Sequence, residues 1–281
     1  MKNRGIIPVN KPQGWTSFDV VNKLKYKVKP LKVGHLGTLD PMATGVLLVT
    51  IGKATKLFDL MQEKRKTYVA TFEFGYETDT LDATGKVVDK TQTIPTFDEI
   101  KNVISIFIGE IEQIPPKYSA KSINGVRAYD LARQNIDFEL KPKKVEIYDI
   151  KTLSYENGLL KLEIVCGSGT YIRSIGRDLA YELNSLATMT ELVRNRVGDI
   201  DLKDCVNIEE IQDFENSIIP INQVLRLPKL NLTDNEKFKI LNGQTIKIIN
   251  CDGLYSVEDE FDTMAIVKIE ENMAKMSLFL G

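Results

Sequence analysis

The sequence predicts an α+β protein with a mostly antiparallel sheet and a compact β-rich C-terminal module. Two runs that are typical of strands, 143–155 and 159–166, flank Glu156-Asn157-Gly158, a turn that favours a β-hairpin. Strands recur with helices between them, but hairpin signals outnumber the regular strand-helix alternation of a parallel sheet. After Pro220 the chain changes to one short helix and short strands broken by turns.

Local signals then place the first elements. Thr16-Ser17-Phe18-Asp19 has the character of a capping box and predicts a helix from about Phe18 to Lys27. Residues 45–52, GVLLVTIG, are apolar and rich in branched side chains, which predicts a buried strand. Residues 67–74, TYVATFEF, alternate as a strand with one solvated face does.

Helical signals account for much of the remaining chain. Residues 97–108 have helical spacing, and the glycine-rich turn at 167–169 runs into a further helix. Residues 207–214, NIEEIQDF, predict another helix before the change near Pro220. We therefore expect two domains, 1–222 and 223–281.

The composition excludes several classes of function. A chain of 281 residues with 43% hydrophobic residues can bury a large core. Its three cysteines lie far apart without a CxxC motif, and its one histidine, His35, cannot assemble a zinc site of the usual kind. We expect no metal and no disulfide. The first thirty residues contain no unbroken apolar run as long as that of a signal peptide. No run in the chain approaches the roughly 18 apolar residues of a membrane span, which predicts a cytoplasmic protein without membrane contact.

Charge is distributed unevenly along the chain. Residues 1–66 hold 13 Lys/Arg and four Asp/Glu, a net charge of +9, whereas the remaining residues carry −11. This asymmetry indicates a polyanion bound mainly by the N-terminal part. The run Lys23, Lys25, Lys27, Lys29 fits a solvated face equally well, but the second cluster at Lys64-Arg65-Lys66 favours nucleic acid.

Asp40 is a candidate nucleophile or base. Pro41 disfavours helical dihedrals at the residue before it, so Asp40 is expected to be held extended at a fixed angle. An Asp-Pro pair is also an ordinary turn, and the dipeptide alone favours that interpretation. The glycines at 34, 37 and 45 favour the interpretation as a nucleophile or base, because they allow a large partner to approach the backbone closely.

Arg173 follows the glycine-rich turn and shares a helical face with Thr170 and Arg177. A helix that opens from such a turn favours anions at its N-terminus. Arg173 could therefore bind a phosphate, or could hold an active carboxylate ionised and oriented. An exposed helix arginine without a functional role is the third interpretation.

Seven motifs, in this order, resemble those of the TruB family of pseudouridine synthases, the tRNA pseudouridine-55 synthases. The first begins at Val9 and the last ends at Gly198, so together they span nearly the whole of the first 200 residues. The motifs are Val9-Asn10-Lys11-Pro12 with Gly14; GHLGTLDPMATGVL at 34–47; Lys66-Thr67-Tyr68; Thr78-Asp79-Thr80-Leu81-Asp82 with Gly85; Pro115-Pro116-Lys117-Tyr118-Ser119-Ala120; Gly169–Arg173; and Leu192–Gly198.

The resemblance implies a role for single residues. Asp40 would be the nucleophile and Arg173 its ionic partner, while Tyr68 would stack on the target uracil and take part in proton transfer. Leu192 would pack beneath the base, His35 would lie against extruded nucleotides, and Lys11 would support the active-site wall. The last motif, LVRNRVG, departs from the family pattern: Val193 and Asn195 replace the usual arginine and threonine, which weakens a contact there but leaves Leu192 in place.

The resemblance also implies an RNA-gripping insertion at about 115–140 and a small C-terminal β-barrel of the PUA type. The expected RNA contacts are Lys64, Arg65, Lys117, Tyr118, Lys121 and Arg127, together with Lys11, His35 and Leu192. A rigid insertion without a role in RNA binding is the alternative.

The implied function is isomerisation of uridine to pseudouridine at position 55 of the tRNA T loop, on a uridine that is flipped out of its stack. This reaction needs no cofactor and no obligatory protein partner, and a monomer is expected. Three alternatives stay open: a guide-RNA-dependent synthase acting on ribosomal RNA, an RNA-binding folding helper for tRNA whose catalysis is secondary, and a glycosidase-like hydrolase that pairs Asp40 with Asp82.

Overall fold

A computed structural model describes residues 4–119, 121–123, 125–134, 136–211, 214–260 and 262–281. Within these ranges it has eight α-helices and eighteen strands. The helices are α1 (Ser17–Lys27), α2 (Phe58–Gln62), α3 (Phe97–Ile104), α4 (Ala128–Arg133), α5 (Ile172–Glu182), α6 (Phe214–Ser217), α7 (Ile221–Leu225) and α8 (Asp234–Leu241). None of the helices in these ranges has the length and apolarity needed to span a lipid bilayer.

The strands fall into four sheets. In chain order they are β1 (Gly5–Lys11), β2 (Val33–His35), β3 (Thr44–Ile51), β4 (Lys66–Phe74), β5 (Tyr76–Thr78), β6 (Val87–Lys90), β7 (Gly109–Gln113), β8 (Ser122–Ile123), β9 (Val126–Arg127), β10 (Lys143–Glu156), β11 (Leu159–Cys166), β12 (Ala187–Val197), β13 (Ile200–Asp201), β14 (Val206–Asn207), β15 (Ile246–Lys247), β16 (Gly253–Glu258), β17 (Thr263–Glu270) and β18 (Met273–Phe279).

The chain forms two compact units. The first comprises Met1–Pro41, Gly45–Gln62 and Gly198–Gly281, and the second comprises Met42–Thr44 and Glu63–Val197. The predicted domain boundary between 222 and 223 falls inside the first unit and stays a prediction.

The first unit holds a group of paired strands near the N-terminus and the C-terminal module. β1 pairs antiparallel with β3 and parallel with β14, and β2 pairs antiparallel with β3. The capping box before α1 is present as predicted, because Thr16 Oγ1 accepts from the Asp19 N–H and the Asp19 carboxylate accepts from the Thr16 N–H. Val20, Val21 and Leu24 form the buried side of this helix.

The C-terminal module is β-rich, as predicted. β15, β18, β17 and β16 form an antiparallel sheet in that order, over a core that includes Ile240, Val257 and Val267. Among the described residues the two edge strands, β15 and β16, do not pair with each other, so this sheet is not a closed barrel.

The helix predicted at 207–214 is wrong for residues 207–211, whereas Phe214 is helical as the first residue of α6. Val206 and Asn207 instead form β14, and a turn follows in which the Glu210 N–H donates to the Asn207 carbonyl at 3.0 Å. Pairing with β1 takes the backbone groups that a helix would need. Gln212 and Asp213 lie outside the described residues.

The second unit is built on five antiparallel strands in the order β12, β4, β11, β10, β7. The predicted hairpin is confirmed: β10 and β11 join through Asn157 and Gly158, which have φ values of 51° and 79°. The segment 97–108 is helical as predicted, with α3 followed by a 3₁₀ turn at Ser105–Phe107. The α+β class with mostly antiparallel pairing is therefore confirmed.

A close contact joins α5 to β4 in this unit. A Cβ built on Gly176 would lie 2.3 Å from two ring carbons of Phe72, a buried residue of β4. We expect Gly176→Ala to lower the free energy of unfolding by about 1–3 kcal/mol, because the helix must move off the sheet. Urea denaturation measures the loss, and Phe72→Leu in the same chain should recover part of it. Full stability in Gly176→Ala would contradict this packing.

Candidate active site

The backbone around Asp40 is held on both sides of the carboxylate. The Leu39 N–H donates to Ser17 Oγ at 2.9 Å, and that hydroxyl lies 3.2 Å from the Leu39 carbonyl, to which it donates. The Pro41 carbonyl accepts from the Gly14 N–H at 2.8 Å. Ser17 is buried at the start of α1, whereas Asp40 itself is partly exposed. The loop therefore presents a carboxylate at a fixed place.

Lys11 provides further support to the same loop. Its side chain is fully buried, and Nζ donates to the carbonyls of Pro12 at 2.9 Å, Trp15 at 2.6 Å and Pro41 at 3.2 Å. Three acceptors match the three N–H donors of an ammonium group. Lys11 thus joins the NKPxG turn to the residue that follows Asp40. His35, in β2, is half-buried at the entrance to the loop, with Val49 as its backbone partner.

Lys11→Met is expected to lower the free energy of unfolding by about 2–4 kcal/mol, because three partly buried carbonyls lose their shared donor. We also expect kcat to fall more than tenfold at little change in KM, since the loop that carries Asp40 loosens. Urea denaturation and steady-state kinetics measure the two effects. Lys32→Met is the control, since Lys32 is exposed in the same unit. A variant as stable and as fast as the wild type would exclude this role.

Tyr68 and Leu192 lie on one face of the sheet in the second unit. Tyr68 belongs to β4, and Ala70, two residues further on, is the backbone partner of Leu192 in β12. Alternation along a strand places Tyr68 and Ala70 on the same side. Leu192 is buried and Tyr68 is half-buried. This face therefore combines a phenol with an apolar floor.

Arg173 is buried at the start of α5, and its guanidinium is fixed by three oxygen atoms. Nη1 donates to the Thr80 carbonyl at 3.0 Å, and Nη2 donates to the Tyr118 carbonyl at 3.1 Å. Nη1 also forms an ion pair with Asp82 Oδ2 at 3.3 Å, and both side chains are 6% exposed. The interpretation of Arg173 as an exposed helix arginine is therefore wrong.

Asp82 is the partner of Arg173 that the sequence reasoning did not assign. Its Oδ1 accepts from Thr80 Oγ1 at 2.8 Å, Thr84 N at 3.0 Å and Thr84 Oγ1 at 2.5 Å, which leaves Oδ2 facing the arginine. Gly85 closes the same turn, since a Cβ there would lie 2.3 Å from Thr80 Oγ1. The TDTxDxxG motif was the available signal, but spacing along the chain does not reveal its partner.

A buried amine and a buried thiol lie on neighbouring strands close to Tyr68. Lys66 in β4 is the backbone partner of Cys166 in β11. Burial, and to a lesser extent the positive charge of the nearby Arg194 guanidinium, lowers the pKa of Lys66 to about 8. Burial raises the pKa of the Cys166 thiol to about 11, so this thiol is protonated at neutral pH and is a poor nucleophile.

Apart from the buried Leu192, the predicted RNA-contact residues of the second unit lie at its surface or close to it. Arg65 is exposed and its guanidinium carbon lies 3.8 Å from the centroid of the Tyr148 ring, while Lys64 is half-buried. In the insertion the Tyr118 ring contacts Tyr129 edge-on at 6.0 Å. The remaining three predicted contacts are the exposed Lys117 and Arg127 and the half-buried Lys121, whose Nζ donates to the Lys141 carbonyl at 3.3 Å. Ala120, Asn124 and Asn135 lie outside the described residues.

Residues 23–172 match the family model described as "TruB family pseudouridylate synthase (N terminal domain)". The chain belongs to the TruB family.

Curated TruB-family relatives match nearly the whole chain. The tRNA pseudouridine synthase B of Dehalococcoides mccartyi is 40% identical over 290 residues, covering 99% of this chain and 97% of that protein. The tRNA pseudouridine synthase B of Clostridium kluyveri is 43% identical over 247 residues, covering 86% of this chain and 85% of that protein. Among solved structures, a Cbf5-Nop10-Gar1 complex contains a chain with a TM-score of 0.73 and 23% identity, covering 99% of this chain and 84% of that one. At this identity the structural likeness supports the pseudouridine synthase fold alone.

The two units divide the TruB-family residues between them. Lys11, His35 and Asp40 belong to the first unit; Lys64, Arg65, Tyr68, Lys117, Tyr118, Lys121, Arg127, Arg173 and Leu192 belong to the second. The structure brings Lys11 to the Asp40 loop, and Arg173 to the backbone of Tyr118. The pairing of Asp40 with Arg173 stays a prediction.

Proposed function

We propose that this protein isomerises uridine to pseudouridine at position 55 in the T loop of tRNAs, with Asp40 as the nucleophile. The observation that carries the proposal is the anchored loop, in which Ser17 and Gly14 hold the residues on either side of a partly exposed carboxylate. The names of the curated relatives, tRNA pseudouridine synthase B, support tRNA as the substrate.

The reaction requires a nucleophile and a positioned base, and no external group. The bond between C1′ and N1 breaks, the uracil turns, and a bond between C1′ and C5 forms while the C5 proton is lost and N1 is protonated. The Asp40 carboxylate can begin this by attack on the base, or by acting at the sugar. Either route needs an ionised carboxylate, which a neighbouring guanidinium favours. Arg173 is assigned that place, with Asp82, Thr80 and Tyr118 orienting it.

The other assigned side chains would hold the extruded uridine. Tyr68 would stack on the uracil, and Leu192 would support it from the sheet, which offsets part of the cost of unstacking. His35 would contact the displaced nucleotides. The hydrolase alternative loses support, because the Asp82 carboxylate is already paired with Arg173 and accepts from Thr80 and Thr84.

We assign RNA binding to the surfaces of both domains that the sequence predicts, 1–222 and 223–281. The cationic residues Lys64, Arg65, Lys117, Lys121 and Arg127 would contact the phosphate backbone. The C-terminal module is proposed as an RNA-binding domain of the PUA type, on the basis of its position and its β-rich core. The enzyme would act as a monomer in the cytoplasm, without a protein partner or a cofactor.

The experiment that tests this function uses the purified protein and one unmodified tRNA transcript, with no other protein present. Pseudouridine is then mapped by carbodiimide modification and primer extension. We expect a single pseudouridine in the T loop, at position 55. Modification only after addition of a guide RNA and partner proteins would favour the guide-dependent alternative. Binding of tRNA without any modification would favour the folding helper.

A further inference from the structure

The solvent side of α1 carries two exposed aromatic side chains. Phe18 is 65% exposed and Tyr26 is 76% exposed. They are eight residues apart, so they project from the same side of the helix, with Asn22 between them. The opposite side, which includes Val20 and Leu24, is buried. Large aromatic side chains this exposed on a helix indicate a contact surface.

Lysines surround these aromatic residues. Lys23, Lys25 and Lys29 are exposed, and in the part of the chain that the structure describes none of them forms an ion pair. Lys29 Nζ lies 5.0 Å from the centroid of the Tyr26 ring. The acidic residue of the first turn, Asp19, is occupied in the capping box. The surface therefore combines cations with solvent-exposed aromatic rings.

This surface begins at the Asp40 loop. Ser17, the residue before Phe18, is the one whose hydroxyl holds the Leu39 backbone. From there α1 extends over eleven residues, or about 16 Å at 1.5 Å per residue. A nucleic acid with one nucleotide at Asp40 would thus have its neighbouring nucleotides within reach of the helix.

We infer that this face of α1, together with Lys29 just beyond its C-terminal end, binds the substrate RNA beside the target uridine. Lys23, Lys25 and Lys29 meet phosphates, while Phe18 and Tyr26 stack on bases or pack against riboses. Aromatic rings interleaved with lysines suit RNA better than an acidic protein surface, because every base offers a face for stacking. The inference rests on the proposed function, which supplies the RNA, and it adds a contact surface outside the insertion and the C-terminal module.

The test measures the affinity of full-length tRNA transcript at several salt concentrations. Four proteins are compared with the wild type: Phe18→Ala, Tyr26→Ala, the double variant Lys25→Gln/Lys29→Gln, and Lys101→Gln as the control. Lys101 is matched to Lys29, because its Nζ lies 5.4 Å from the centroid of an exposed aromatic ring, Phe97, on α3. Thermal denaturation checks that each variant is folded. We expect all of them to fold, because the substituted side chains are exposed.

We expect Tyr26→Ala and Phe18→Ala to weaken tRNA binding about fivefold each. The double lysine variant should weaken binding and reduce the slope of log Kd against log salt by about 1.5, or roughly 0.7–0.9 for each phosphate contact. Lys101→Gln should match the wild type. Unchanged affinity and slope in all α1 variants would overturn the inference, as would an equal loss in Lys101→Gln.

The same preparations separate this inference from the proposed function. Wild-type protein that forms pseudouridine in the transcript supports the function, whatever the α1 variants do. Wild-type protein that binds tRNA but forms no pseudouridine would contradict the function while leaving the binding test of α1 intact.

Discussion

Asp40→Asn is expected to lower the rate of pseudouridine formation by at least about 10⁴-fold, while tRNA affinity stays within about threefold of the wild type. The amide has nearly the same shape as the carboxylate but cannot act as the nucleophile. The loop should keep its place, because its anchors at Leu39 and Pro41 are backbone groups. Single-turnover assays with enzyme in excess measure the rate, and filter binding measures the affinity.

The control for this variant is Asp59→Asn, an exposed aspartate in the first turn of α2 in the same unit. It should bind and modify tRNA as the wild type does. Retained turnover in Asp40→Asn, in a preparation free of contaminating synthase, would remove Asp40 as the nucleophile. A loss of tRNA binding equal to the loss of rate would show that the carboxylate acts in binding.

Asp82→Asn is expected to reduce kcat by about 10²-fold or more, with a much smaller change in KM. The amide can keep hydrogen bonds to Thr80 and Thr84, but it removes the negative charge that lies 3.3 Å from Nη1 of the buried Arg173. Removing one partner of a buried ion pair lowers the free energy of unfolding by about 3–5 kcal/mol. The remaining partner, Arg173, is also expected to lose its fixed orientation. We therefore expect a loss of stability in urea as well as a loss of rate.

Asp79→Asn provides the matched control for Asp82→Asn. Asp79 lies in the same turn and accepts from the Lys86 N–H at 2.8 Å, but it has no contact with Arg173 among the described side-chain interactions. It should affect stability more than kcat. An equal fall in kcat for both variants would mean that the turn, and not the charge of Asp82, sets the rate.

Local sequence signals predicted those parts of the fold in which a few neighbouring residues decide the conformation. The cap at Thr16 and Asp19 fixed the start of α1, because both hydrogen bonds join residues three apart. Asn157 and Gly158 fixed the hairpin, since both accept the positive φ that a tight turn requires. The charge asymmetry indicated a nucleic-acid partner, and the Asp-Pro loop indicated a presented carboxylate. The family motifs then connected both features to pseudouridine formation.

Sequence reasoning failed where the deciding partner is distant in the chain. Arg173 and Asp82 are 91 positions apart, so no spacing rule pairs them, and Asp82 was interpreted only as part of a turn or as a second hydrolase carboxylate. The helix expected at 207–214 was wrong for residues 207–211, because pairing with β1 takes the backbone of Val206 and Asn207. Both errors reflect tertiary contacts that override local preference.

The central claim is that the loop presenting Asp40 serves to isomerise one uridine of the tRNA T loop. Its most direct test is a map of pseudouridine in total tRNA from a bacterial strain lacking its own T-loop synthase, complemented with this protein or with Asp40→Asn. The account predicts that the wild type restores pseudouridine at position 55 and at no other position, and that Asp40→Asn restores none. Restoration by Asp40→Asn, or modification at another position only, would contradict it.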